Sequence, residues 1–413
     1  MKNLYSYLLF FIFFQTAFPQ KIRDTVSSQI LRENREIYIS LPASYQKSPK
    51  KSYPLLLLLD GDYLLEPFQG TLNYGAYWDD LPEVIIVGIS QNKKKERYTD
   101  CSVNQETGVL EDKAEDFLGF IRSELLTHIQ KKYRVAPFKI IAGHDITAGF
   151  LNFYLYDDKP IFDAYISLSP ELSIGMDDQI LERLSSISKP IYYYHSIADG
   201  DIKKMKEKIQ KLDAGLKEIK RPNLNYRFDE FKGASHYSLV LYSIPNALYQ
   251  FFASYQPISM EEFNEKIAIL PSGYSEYLAK KYDFIEKSLG IKTPIRVNDF
   301  RAIEAAILMN KDYNDFDALS ILARKSHPLS MMADYDLAMM YEKKGDNKNA
   351  VKYYLLAYQK EEIGSLTKSM MFDKAETLKK TYSKKGKQTT ELETVNEGST
   401  EELKETEETK KAE

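Results

Sequence analysis

The sequence predicts an α/β protein built on a doubly wound, mostly parallel sheet, followed by an all-α region and a polar tail. Three observations lead to this prediction. Continuous apolar runs alternate with helical patterns from Lys21 to Tyr255, no strand-like run follows Gln256, and the last residues are rich in Glu and Thr. Such apolar runs are typical of strands covered on both faces. Their alternation with helices favours a doubly wound sheet.

The predicted elements follow one another in a regular order. Apolar runs indicate strands at Arg35–Pro42, Tyr53–Asp62, Glu83–Ser90, Phe138–Asp145, Asp163–Glu171, Lys189–Asp201 and Asn223–Phe231. Helical periodicity lies between them at Lys113–Tyr133, Thr147–Tyr156, Asp177–Ile187, Asp201–Ile219 and His236–Tyr255. We therefore expect an α/β domain over residues 21–257.

The N-terminus resembles a secretory signal peptide. One Lys precedes an apolar run from Tyr7 to Phe14. The small residue Ala17 then precedes the expected cleavage position near Gln20. The apolar run is shorter than the roughly 20 residues that a membrane-spanning helix needs. We expect residues 1–20 to be removed and the protein to be exported, periplasmic or secreted, with no transmembrane segment left. A retained membrane anchor is the alternative.

The second half predicts helical repeats. Ala338, Tyr341, Gly345, Ala350 and Ala357 follow tetratricopeptide spacing, and a weaker match lies one repeat earlier. We expect a helical region over residues 258–383, which offers a surface for a protein partner, and a disordered acidic tail over residues 384–413. An ordinary helical hairpin is the alternative to the repeats.

Composition excludes several classes of function. The net charge is −4 and no basic block is present, so we expect no nucleic-acid partner. Cys101 is the only cysteine and cannot form an internal disulfide. No metal-ligand spacing or phosphate-binding loop appears, so we expect neither a metal nor a cofactor.

The stretch IIAGHDITAGF, Ile140–Phe150, has the pattern of a nucleophile elbow. An apolar strand ends in Gly-His, and a helix begins directly afterwards. Such a turn normally carries a nucleophilic Ser at its tip and a Gly two positions later. Here the tip is Asp145 and the later residue is Thr147. Proteins with such a turn carry a catalytic triad in the chain order nucleophile, acid and His. Candidates in that order are Asp145, Asp199 and His236.

Several landmarks together resemble the Putative esterase family of α/β-hydrolases, which includes siderophore esterases and the esterase D type. They are PLLLLLDGD, VIIVGIS with ERYTDCS, FLGFIRSELLTHIQKKYRV, IAGHD, FDAYISLSPEL and KGASHYSL, spread over about Ile30 to Tyr255. The resemblance implies an α/β-hydrolase fold and a small ester substrate.

The resemblance also implies roles for particular residues. His236 corresponds to the general base, Asp199 to the acid that orients it with Asp201 as runner-up, and Asp145 to the nucleophile. The backbone of Gly61 and Asp62 and the amide of Ile146 correspond to the oxyanion donors. The chain departs from the family at Asp145 and at Thr147.

The Asp at the tip leaves three interpretations open. A carboxylate suits displacement at saturated carbon, as in haloalkane dehalogenases and epoxide hydrolases, but the stretch from Ser169 to Lys189 is too short for their helical cap. His236 could instead activate water directly. In the third interpretation the site is catalytically silent, and the chain is a binding or scaffold protein. We expect an ester hydrolase-like protein with weak or altered activity.

Overall fold

The computed structural model describes residues 21–381, which form two compact units. The first contains the chain up to Gln256 together with Ile285–Lys292. The second contains Pro257–Phe284 and the chain from Thr293 onward. The predicted signal peptide and the whole of the predicted tail lie outside the described residues. Within residues 21–381, none of the helices combines the length and the apolar character needed to cross a bilayer.

An eight-stranded sheet forms the centre of the first unit. Its strands are β1 Lys21–Ser28, β2 Glu33–Ser40, β3 Tyr53–Leu58, β4 Ile85–Ile89, β5 Val135–His144, β6 Ala164–Leu168, β7 Ile191–Ala198 and β8 Leu224–Phe231. Their order is β1-β2-β4-β3-β5-β6-β7-β8. The strand β2 pairs antiparallel with β1 and β4, and all other pairs are parallel.

Helices cover this sheet and connect its parallel strands. They are α1 Gly61–Tyr77, α2 Arg97–Asp100, α3 Asp112–Gly119, α4 Leu126–Lys132, α5 Ile146–Phe150, α6 Met176–Ser186, α7 Lys203–Glu218 and α8 Leu239–Phe251. Every residue of β3, β4 and β6 is buried, as expected for strands covered on both faces. The predicted fold class, an α/β-hydrolase fold followed by helices, is confirmed.

The sequence missed the strand β1, the helix α1 and the short helix α2 of this unit. The sheet begins at Lys21, because β1 pairs along its whole length with β2. The pattern of β1 is only partly apolar, since most of its side chains are exposed or half-buried at the sheet edge. The helix α1 contains Pro67, Gly70 and Gly75. Because Pro and Gly have low helix propensity, the sequence did not predict this helix. Its buried leucines nevertheless hold it against the sheet.

The second unit is helical. Its helices are α9 Met260–Glu262, α10 Tyr274–Leu289, α11 Val297–Asn310, α12 Asp315–Ser326, α13 Met332–Lys343, α14 Asn347–Tyr358 and a helix α15 over residues 368–381. Of α10, the residues up to Phe284 belong to this unit. The helices α13 and α14 pack together, and Ala338, Ala350 and Ala357 are fully buried. Small side chains at these positions allow close helix contact. The tetratricopeptide-like nature of this unit stays a prediction.

Candidate functional site

Asp145 lies at a sharp turn between β5 and α5. Its backbone has φ 64° and ψ −121°, a region that side chains other than glycine rarely adopt. This ψ lies far from the left-handed helical region, so the ordinary tolerance of Asp for that region does not explain the turn. The amide of Asp145 donates to Leu168 O at 3.0 Å, and its carbonyl accepts from Gly149 N and Glu171 N, both at 3.0 Å. These backbone bonds hold the strained tip in place.

His236 lies between two carboxylates. Its Nδ1 is 2.6 Å from Asp201 Oδ1, and its Nε2 is 3.8 Å from Asp145 Oδ1. The hydrogen bond to Asp201 raises the pKa of His236, burial lowers it, and the charge of Asp145 raises it further. The net direction is upward, so the protonated imidazole is favoured.

The acid that pairs with His236 is Asp201, and the first-named candidate Asp199 is not in this contact. Asp199 accepts instead from Gly233 N at 2.7 Å and lies 3.7 Å from Lys206 Nζ. Asp201 is buried and also accepts from Ala198 N at 2.8 Å. Burial would raise the pKa of Asp201, yet the hydrogen bond from His236 and the others hold it below its usual value.

Arg97 joins the tip of the turn to a buried acid. Its Nη1 lies 3.6 Å from Asp145 Oδ2, and its Nη2 donates to Asp60 Oδ2 at 3.1 Å and to His144 O at 3.0 Å. Asp60 is fully buried at the end of β3. Arg97 belongs to the landmark ERYTDCS, for which the sequence predicted no role beside the tip. Only the fold brings this loop against β5.

Thr147 is tied to the same network. Its hydroxyl lies 2.7 Å from Asp60 Oδ2 and 2.9 Å from His144 O, and it accepts from His144 N at 2.9 Å. Thr147 is fully buried, and its hydroxyl is directed at Asp60 and His144. It therefore anchors the turn and offers no second hydroxyl to a substrate.

His144 is held as a neutral side chain. Its Nδ1 lies 3.1 Å from Tyr63 Oη and its Nε2 3.0 Å from His236 O. Burial, and then the charge of His236, lower the pKa of His144 to about 4. A neutral imidazole with both nitrogens engaged is a structural support for the loop of His236.

The positions predicted as oxyanion donors have distinct surroundings. Gly61 begins α1, and a Cβ there would lie 2.5 Å from Gly88 C, so glycine is required by the close approach to β4. The carboxylate of Asp62 accepts from Gln91 N at 2.8 Å and from Ser90 Oγ at 2.9 Å, which fixes the loop after β4. Ile146 begins α5 next to the tip and is half-buried. The use of these backbone amides as oxyanion donors remains a prediction.

A cleft of about 520 Å³ lies beside the turn. Ile146 is in its lining, together with residues after β6 and at the start of α7. Sequence reasoning missed this cleft, because its walls come from segments far apart in the chain. Within the described part of the chain, no group of three or more His, Cys, Asp or Glu is arranged to hold a metal ion.

The strand order and the turn between β5 and α5 define the class of protein as an α/β-hydrolase fold. Comparison with protein families agrees: residues 28–175 match the sequence model of the family described as "Putative esterase". This match confirms the resemblance to the Putative esterase family. Among curated proteins, none matches the chain.

Two solved structures are similar over most of the chain. An uncharacterised protein from Capnocytophaga ochracea shares 29% identity and a TM-score of 0.79, over 87% of this chain and 99% of that one. An IroE-like serine hydrolase from Shewanella oneidensis shares 20% identity and a TM-score of 0.57, over 74% of this chain and 99% of that one. The second likeness supports the fold alone.

Proposed function

We propose that this chain is an ester hydrolase-like protein whose acid and base are assembled but whose nucleophile position carries a carboxylate. One observation carries the proposal. Asp201 holds Nδ1 of His236 at 2.6 Å, while Nε2 faces Asp145 at 3.8 Å. In a serine hydrolase Nε2 takes the proton of the nucleophilic hydroxyl. This geometry supports the proposal that Asp145 occupies the nucleophile's position.

The carboxylate weakens ester chemistry in two ways. The raised pKa of His236 favours its protonated form, and a protonated imidazole is a poor general base. An ionised Asp145 also repels the negative charge that forms on a carbonyl oxygen during attack. We therefore expect wild-type protein to hydrolyse activated esters weakly or not at all.

The proposal is tested by restoring a hydroxyl. We expect Asp145→Ser to gain hydrolysis of p-nitrophenyl acetate, because a hydroxyl would then lie beside His236. The double variant Asp145→Ser with His236→Ala should lose the gain by at least about 100-fold, the usual contribution of a general base. Asp199→Ala in the Asp145→Ser background is the matched control, since Asp199 does not touch His236. Asp201→Ala in that background should lose activity.

Two results would contradict this proposal. One is efficient ester hydrolysis by the wild type that Asp145→Asn abolishes, which would make Asp145 a working nucleophile or base. The other is a complete lack of activity in Asp145→Ser when circular dichroism shows the fold intact. Thr147→Gly is a poor companion substitution, since it would remove the hydroxyl from Asp60 and His144.

A binding role is the second candidate function. The charge of Asp145 is engaged by Arg97 at 3.6 Å, and the cleft beside the tip is open to a ligand. In this case the hydrolase fold would act as a receptor or scaffold, and the tetratricopeptide-like helices would offer a surface to a protein partner. We also infer export with removal of residues 1–20. Mass spectrometry of the natively expressed protein tests this, and a mature chain that still begins at Met1 would contradict it.

A further inference from the structure

We propose that the cleft of about 520 Å³ binds an amphiphilic anion, a carboxylate with an apolar chain, whose carboxylate lies at Lys204 and away from the acidic tip of the turn. This proposal goes beyond the proposed function, because binding requires neither a nucleophile nor turnover. It rests on the volume of the cleft, on its apolar walls and on the unpaired ammonium group of Lys204 in its lining.

The walls of the cleft suit an apolar chain. Its volume of about 520 Å³ falls within the range of small-molecule sites. Leu172, Ile174 and Met176 line it from the segment after β6, and Ile202 and Met205 line it from the start of α7. Ile174 is 54% exposed and Ile202 69% exposed, although both are large aliphatic side chains. Covering them with a ligand would remove apolar surface from water, which is favourable.

The charge at the cleft favours an anion. Lys204 lines the cleft, is exposed and has no ion pair or hydrogen bond within residues 21–381. Two other lysines of α7 do have ion-pair partners: Lys203 lies 3.7 Å from Glu207, and Lys206 lies 3.7 Å from Asp199. The ammonium group of Lys204 is therefore available to a ligand.

The other charged residues of the lining do not offset Lys204. Lys208 also lines the cleft and donates to Leu172 O at 2.7 Å. Glu171 is the acidic residue of the lining, so the two lysines leave one excess positive charge. The first turn of α7 contains no acidic side chain. A cationic or zwitterionic ligand would face this excess charge, and a neutral ligand would leave Lys204 unused.

Calorimetric titration of the full wild-type protein with hexanoate, octanoate and decanoate tests the proposal. We expect the dissociation constant to fall by up to about fourfold for each added methylene, the effect of burying that group. Decanol should bind more weakly than decanoate. Lys204→Gln should weaken decanoate binding by about two- to fivefold, the range for an exposed ion pair, and should leave decanol unchanged.

Two further variants separate this site from a general effect of charge or of apolar surface. Lys203→Gln is the matched control, because Lys203 precedes Lys204 and does not line the cleft. It should bind decanoate as the wild type does. Met205→Trp should fill the cleft and abolish binding of both ligands, with circular dichroism confirming the fold.

The proposal is overturned if decanoate does not bind at millimolar concentration. It is equally overturned if decanol binds as tightly as decanoate, or if Lys203→Gln and Lys204→Gln weaken binding alike. None of these results depends on ester hydrolysis. An inactive Asp145→Ser variant would contradict the proposed function and leave the binding result standing.

Discussion

Fully buried carboxylates in the two units of this protein have different surroundings. In the hydrolase-like unit, fully buried Asp60 and Asp100 each contact an arginine, Arg97 and Arg35 respectively. In the helical unit, Asp336 is also fully buried, but neither of its oxygens has a hydrogen-bond partner within residues 21–381.

The two kinds of site differ in whether a hydrogen-bonded partner opposes the rise in pKa that burial causes. Burial raises the pKa of Asp60, and Arg97, Thr147 and Asn92 oppose that rise without reversing it. Burial raises the pKa of Asp336 much further, and the neighbouring charge of Glu304 raises it again. A buried acid with a partner can stay ionised and hold a site together. A buried acid without a partner favours the protonated form, and its unsatisfied oxygens cost free energy in the core.

The largest expected effect comes from breaking the pairing in the hydrolase-like unit. Arg97→Ala leaves Asp60 buried without its cation, so we expect a loss of about 3–5 kcal/mol in the free energy of unfolding. Urea unfolding followed by the fluorescence of Trp78, the only tryptophan, reports on this unit. Arg122→Ala is the control, because its pair with Asp157 is solvent-exposed and should contribute less than about 1 kcal/mol. Equal losses in both variants would contradict the comparison.

A smaller effect tests the packing of the helical unit. Ala350 is fully buried, so Ala350→Phe should lower the free energy of unfolding by about 1–3 kcal/mol through overpacking. Lys348 is exposed on the same helix, and Lys348→Phe serves as the control. A thermal melt followed by circular dichroism compares the two. No loss in Ala350→Phe would mean that α13 and α14 do not pack closely.

The smallest effect concerns the unpaired acid itself. An acid with a raised folded pKa stabilises fully below its unfolded pKa, 3.8 for Asp336, and that stability is lost as the pH rises. Asp336→Asn cannot ionise, so at pH 8 it should be more stable than wild type by on the order of 1 kcal/mol, with no gain at pH 3. Asp334 is buried but paired with Arg324 and Lys360, so Asp334→Asn should not gain stability at pH 8. Equal responses of the two variants in urea unfolding would refute the contrast.

The sequence predicted the fold and the turn because both leave local patterns. Apolar runs between helices mark buried strands, and Gly-His-Asp after such a run marks the turn at Asp145. The choice between Asp199 and Asp201 left no such signal. Both follow β7 and differ by two positions, and only the folded loop decides which carboxylate meets His236.

Other parts of the site depend on contacts between distant segments. Arg97 reaches Asp145 across 48 positions of the chain, and Ile174 joins Lys204 in one cleft across 30. No periodicity in the sequence encodes such distances. The edge strand β1 was missed for a different reason, since half of its side chains are exposed and its apolar signal is weak.

The most direct test of the central claim is the pKa of His236 in the wild type and in Asp145→Asn, measured by the pH dependence of its imidazole NMR signals. If Asp145 lies beside Nε2 at the nucleophile's position, the wild-type pKa lies above the usual value of 6.5. It should fall in Asp145→Asn, though the hydrogen bond to Asp201, the larger cause, keeps it raised. A wild-type pKa at or below 6.5, or one that Asp145→Asn leaves unchanged, would contradict the account.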